Sequence, residues 1–203
     1  MKSVLKLSLS LLLRTVLVCM LSFMAVITLG MIASSNGEIN PVVAVIFGLI
    51  YLFMLLYFFT YTSWVEGGRD NNRVAIGQAT EMLYKGYLSA AIVVIPIIAI
   101  FVISYVFMEV QNSVMGVLNI LKLIFVWAGI YLTVPLTGGI STTTVDTEGA
   151  DPTLALYMTL ILCAVYIIAA VCSGVGYVFG YKKISFIPKL TDKIMGKNPS
   201  EKK

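Results

Sequence analysis

Two carboxylates and two guanidinium groups lie close together in the stretch WVEGGRDNNR, Trp64 to Arg73. Nowhere else does the chain set two acids and two arginines side by side. Phosphoryl transfer would need a phosphate-cradling glycine loop or clustered aspartates for Mg²⁺. EGGRD supplies neither. The chain has no histidine. That removes the usual proton shuttle and the commonest metal ligand, and with them serine–histidine hydrolysis and HExxH zinc chemistry. Cys19, Cys163 and Cys172 all fall inside apolar runs without CxxC spacing. They read as small apolar residues rather than redox or metal ligands. The acids Asp146, Glu148 and Asp151 of the threonine-rich stretch STTTVDTEGADPT have a hard-cation composition but not EF-hand spacing. The sequence therefore points to no catalytic residue, no metal site and no cofactor.

What remains for WVEGGRDNNR is structure or recognition. Gly67 and Gly68 can break a helix or let another backbone come close. If the segment is helical, Arg69 and Arg73 share a face, and Glu66 and Asp70 can pair with them. Exposed pairs of that kind contribute only about 0–1 kcal/mol each. Trp64, Glu66, Gly67, Gly68, Arg69, Asp70, Asn72 and Arg73 are the candidate surface for a partner, because arginine–carboxylate geometry and asparagine amides suit specific polar contacts. The bland alternative is a solvated connector.

The elements that position this stretch follow from composition. The chain has 203 residues, is 59% hydrophobic and 12% charged, and has a mean hydropathy of +0.96. Soluble domains carry about 25% charged residues, so this chain cannot build a polar shell. It reads as a single, all-α, polytopic membrane domain, 1–203, without a soluble second domain. Four apolar runs read as spans, at about 15–33, 41–62, 88–107 and 154–177. The first is too long for a cleaved signal and reads as an uncleaved signal anchor. A fifth run, 114–134, carries Lys122 near its centre. Hydropathy alone does not decide it, because its leucines, isoleucines and valines offset a central lysine.

Charge asymmetry decides it, since cytoplasmic segments collect Lys and Arg. Four spans with both ends inside place every basic residue except Lys122, of 14 in the chain, on the cytoplasmic side. Five spans with the N-terminus outside and the C-terminus inside export Lys2, Lys6, Arg14, Arg69, Arg73 and Lys85. The preferred reading is a four-transmembrane-helix bundle, N-in and C-in, with a cytoplasmic loop at 63–87 and an outer region at 108–153. Within that outer region, 114–134 forms an interfacial or re-entrant helix. Tyr57, Tyr61, Trp64, Tyr84, Tyr87, Tyr177 and Tyr181 then anchor the inner boundary. The second half of the loop, VAIGQATEMLYKGYLS, reads as a short amphipathic helix on the membrane surface.

Three further features complete the reading. In the last span, Ala170, Gly174, Gly176 and Gly180 form small-residue spacings that let helices approach closely. Lys122 is the one charge placed to lie in the membrane, where an ionisable residue is a functional candidate, with Glu109 as its possible partner. In the basic tail, 181–203, Lys189, Lys193 and Lys197 recur every four residues and favour anionic lipid. The expected partners are membrane lipids and a membrane protein or second copy, not nucleic acid. Tail, anchor and size fit a bacterial plasma membrane. The expected function is that of a non-catalytic accessory, scaffold or regulatory subunit. The alternative is a small solute or ion transporter or channel subunit using Lys122 and Glu109.

Overall fold

A computed structural model describes residues 2–33, 41–78, 80–107, 114, 116–122, 125 and 152–184. Glu109, the acids Asp146, Glu148 and Asp151, the tail lysines Lys189, Lys193 and Lys197, and most of 114–134 lie outside the described residues. Helices make up the described fold, with no strand among the described residues. Four are long: α1 (Lys2–Ala33), α2 (Pro41–Ala75), α3 (Lys85–Val106) and α4 (Pro152–Tyr181). Each is long and apolar enough to cross a bilayer, over Ser3–Ser22, Val45–Ala75, Lys85–Val106 and Leu156–Tyr181. Residues 116–122 are also helical.

Three boundaries differ from the sequence reading. The first span does not begin at residue 15: α1 is already helical at Lys2. Val4, Leu7 and Leu11 are buried in the bundle, and this packing holds helical a stretch that Lys6 and Arg14 had marked as polar. The loop expected at 63–87 does not begin at residue 63 either, because α2 runs on unbroken to Ala75 through both glycines. At 35 residues it is about 52 Å long, well beyond the roughly 30 Å of hydrocarbon. Lastly, the described residues between Ile76 and Tyr84 form turns rather than an amphipathic helix.

Gly77 is the reason. It sits just past α2 at φ 71°, a left-handed conformation that glycine adopts at no steric cost. The Gln78 N–H donates to the Arg73 carbonyl and the Gly77 N–H to the Val74 carbonyl. This is a Schellman closure. The end of α4 repeats it, with Ile184 N–H on Phe179 O, Lys183 N–H on Gly180 O, and the left-handed position filled by Lys183 at φ 53°. A side chain costs about 1–2 kcal/mol in that conformation. The close is reinforced from outside: the Trp64 indole N–H donates to the Ile184 carbonyl at 3.0 Å.

Contacts among Asp70, Lys85 and Tyr177, and between Ser89 and the backbone of Val4, gather the start of α1, the end of α2, the start of α3 and the end of α4 at one end of the bundle. We call it the basic end. Helix α4 lies against both α2 and α3, while α2 and α3 scarcely meet. The bundle axis is filled with large side chains: Leu55, Phe59, Phe101, Leu162 and Tyr166 are all buried. The hydroxyls of Tyr51 and Tyr166 lie 3.4 Å apart, so the two phenols satisfy each other away from water. Phe125 is buried and meets the Tyr166 ring edge-on, with centroids 6.4 Å apart. The run 114–134 therefore sends at least this side chain into the core.

Candidate functional site

The α2–α4 contact at the basic end is built on missing side chains. A Cβ on Gly67 would collide with the Tyr177 carbonyl, and one on Gly180 with the Trp64 carbonyl. A Cβ on Gly176 would meet the Thr60 carbonyl at 2.5 Å. Backbone packs directly on backbone, the arrangement that small residues four apart permit. Gly174 serves a different neighbour, leaving room for the Tyr87 ring of α3. Ala170 is half-buried and packs against the core. Gly68, in contrast, has space: its Cβ would stand 3.6 Å from the Gly180 carbonyl.

Close approach brings polar groups within reach. The hydroxyls of Ser63 and Ser173 are 2.6 Å apart, and Ser173 also donates to the Gly86 carbonyl at 3.4 Å. One serine thus links α4 to α2 and α3. Ser89 on α3 donates to the Val4 carbonyl of α1 at 3.2 Å. Such bonds contribute about 0.6 kcal/mol each on average in a membrane bundle.

Above these contacts sits an ion network. Glu66, Asp70 and Arg73 share one face of α2, three and four residues apart, as helical geometry requires. The Asp70 carboxylate accepts from Arg73 at 2.9 Å, from the Tyr177 hydroxyl at 2.8 Å and from the Lys85 ammonium at 2.5 Å. Glu66 accepts from Arg73 at 3.3 Å and Arg69 at 3.4 Å, and lies 3.7 Å from Lys85. The Lys85 side chain is only 2% exposed, and its Nζ lies 5.9 Å from the centre of the Tyr177 ring. A cation at the first residue of a helix opposes the helix dipole. Two carboxylates and a π-face offset that cost here.

Of the candidate partner-binding residues, Glu66, Gly67 and Asp70 therefore point into the bundle. Trp64 is half-buried against the end of α4. Asn72 is exposed, and the side chains of Arg69 and Arg73 are 64% and 42% exposed. They form an outward rim with Lys182 and Lys183, which are exposed just past α4. Lys122 is half-buried and has no ion pair among the described residues; its possible partner Glu109 lies outside them.

Lys85, Tyr177, Ser63 and Ser173 were not singled out from the sequence. Lys85 counted only as a cytoplasmic cation and Tyr177 only as an interface anchor. A signal for Lys85 did exist: a lysine where a helix begins, next to a glycine, wants a carboxylate beside it. Among the described residues no group of three acids or cysteines could hold a metal. No family model, curated protein or solved structure matches the chain.

Proposed function

We propose that this is a four-span plasma-membrane protein, of bacterial type by its size and lysine tail, with both termini cytoplasmic. It works by binding, as an accessory or scaffold subunit of a membrane complex. The observation that carries the reading is the use the bundle makes of its charges. Lys85, Asp70, Glu66 and Tyr177 are engaged with one another, and the axis beside them is packed with aromatic and aliphatic side chains. That arrangement supports a rigid body that presents a surface, and offers little to a transport path. The surface is the rim of Arg69, Asn72, Lys182 and Lys183. Long α2 and α4, locked by glycines, hold this rim clear of the hydrocarbon.

The orientation has its own test. A cysteine at Ser113 should be labelled by an impermeant thiol reagent from outside intact cells. Labelling only from the cytoplasmic face would refute the four-span topology. For the partner, the tagged protein should be extracted in mild detergent and compared with the variant Asn72→Glu/Lys182→Glu, which makes the rim acidic at two positions. Both substitutions lie on exposed side chains, so the fold should survive them, as an unchanged unfolding midpoint would verify. The expected result is a stoichiometric membrane-protein partner with the parent chain and its loss with the variant. A folded parent that purifies alone would sink the accessory reading. Asp70→Ala is unsuited to this test because it also removes the acceptor of Lys85 and Tyr177.

A further inference from the structure

A cavity of about 280 Å³ opens between α1 and α2 at the basic end. Lys6, Ser10 and Arg14 line it from α1, and Tyr61 and Arg69 from α2. Three cations converge there. The one carboxylate on its wall, Glu66, is already shared among Arg69, Arg73 and Lys85. Arg14 rests over the Phe58 ring at 5.7 Å, and neither it nor Lys6 forms an ion pair among the described residues. Arg14 is also half-buried, twelve residues into an apolar helix. A cation so placed costs several kcal/mol unless an anion meets it. Among the described residues no spare anion is supplied at this point.

The depth of the cavity names the anion. Tyr57 and Tyr61 are stacked with ring centroids 5.5 Å apart, and both are exposed. Stacked exposed tyrosines where the apolar run 41–62 of α2 ends mark head-group level. Towards the other end of the bundle, Leu13, Leu17 and Phe53 are exposed, an apolar surface on which acyl chains can lie. Above that level, Lys6 and Arg69 face the same opening. Arginine suits phosphate oxygens by its planar fork, and hydroxyls of Ser10 and Tyr61 add neutral donors. The volume suits a small polar group rather than a whole metabolite.

We propose that the α1–α2 cavity is a binding site for a phosphate group, that of an anionic phospholipid in the cytoplasmic leaflet. Arg14 and Lys6 hold the phosphate oxygens, Arg69 closes the mouth, and the acyl chains lie along the exposed apolar faces of α1 and α2. The site borders the rim proposed to meet a protein partner and shares Arg69 with it, but its test varies only Lys6, Ser10 and Arg14 of the cavity and does not depend on that partner.

The test is native mass spectrometry of the full chain in detergent, titrated with phosphatidylglycerol, phosphatidylcholine or inorganic phosphate. Phosphatidylglycerol should be retained over phosphatidylcholine. Arg14→Gln should weaken that retention about fivefold, and Arg14→Gln/Lys6→Gln about 25-fold, taking each basic residue at the usual strength near a membrane. Ser10→Leu, which fills the cavity and keeps every charge, should abolish it, while Lys182→Gln leaves it unchanged. Equal retention by Arg14→Gln and the parent overturns the proposal. So does equal retention of the two lipids. An adduct of inorganic phosphate at millimolar concentration with no lipid adduct overturns the lipid source and assigns the cavity to soluble phosphate. Variants are compared only where their unfolding midpoints match the parent, and Arg14→Lys, which keeps the charge, should restore most of the binding.

Discussion

Gly67→Ala should be severely destabilising and Gly68→Ala mildly stabilising, although the two residues are neighbours on one helix. The new methyl at Gly67 lands on the Tyr177 carbonyl, a backbone atom that cannot swing aside. Helices α2 and α4 must separate, which loosens the Ser63–Ser173 hydrogen bond and lengthens the Tyr177–Asp70 contact. Overpacking alone costs about 1–3 kcal/mol; with those losses the total should reach about 4 kcal/mol. At Gly68 the methyl reaches only ordinary contact at 3.6 Å. There the change from glycine to alanine inside a helix should gain up to about 1 kcal/mol. Unfolding by SDS titration, followed by far-ultraviolet circular dichroism, would measure both. Equal effects would show that α2 and α4 do not meet backbone to backbone at this point.

The second large effect concerns the Lys85 cage. Lys85→Met leaves Glu66 and Asp70 facing each other with Arg73 as their principal remaining cation. Removing one partner of a buried pair costs about 3–5 kcal/mol, and the partly exposed carboxylates put this case near 3. Asp70→Asn should cost about as much, because it leaves the buried Lys85 ammonium only the longer 3.7 Å contact to Glu66. The double variant Lys85→Met/Asp70→Asn should be more stable than either loss summed with the other. The amide oxygen still accepts from the Tyr177 hydroxyl, and no buried charge is left alone. A coupling of at least about 1 kcal/mol is expected from a double-mutant cycle. Simple additivity would mean that Lys85 and Asp70 do not act as a pair.

Much of the architecture was legible, and the reasons are physical. Runs of about 20 apolar residues have no home in water, so four bilayer-length helices followed from composition, with the start of the first and the end of the second displaced. The pairing of Glu66 with Arg69 and of Asp70 with Arg73 followed from helical spacing. The end of α2 did not follow. Glycine pairs and a cluster of charges are also what a solvated loop looks like, and helix propensity in water argues for a break at Gly67. Propensity is a weak prior beside tertiary packing. Here the absent side chains are what α4 requires. Lys85 was hidden for a related reason. A lysine at the edge of an apolar run looks the same whether it reaches water or a carboxylate, and the choice is made by Asp70 and Tyr177 from two other helices.

Arg14 shows the limit from the other side. In the sequence it interrupts an apolar stretch and helps orient the chain. Only the juxtaposition of α1 with α2 shows that it shares a cavity with Arg69 and Lys6. No local pattern brings residue 14 to residue 69.

The order in which the helices are made now acquires meaning. Helix α4 is the last of the four to be synthesised, yet it makes the broadest contacts with both α2 and α3, which scarcely touch each other and are otherwise joined only through α1. Until Tyr177 and Gly180 have left the ribosome, α2 and α3 share little beyond the salt bridges that Lys85 makes to Asp70 and Glu66. The growing chain therefore waits in the bilayer with α2 and α3 each resting on α1 but hardly on each other, and α4 enters as a wedge that closes the bundle in one late step.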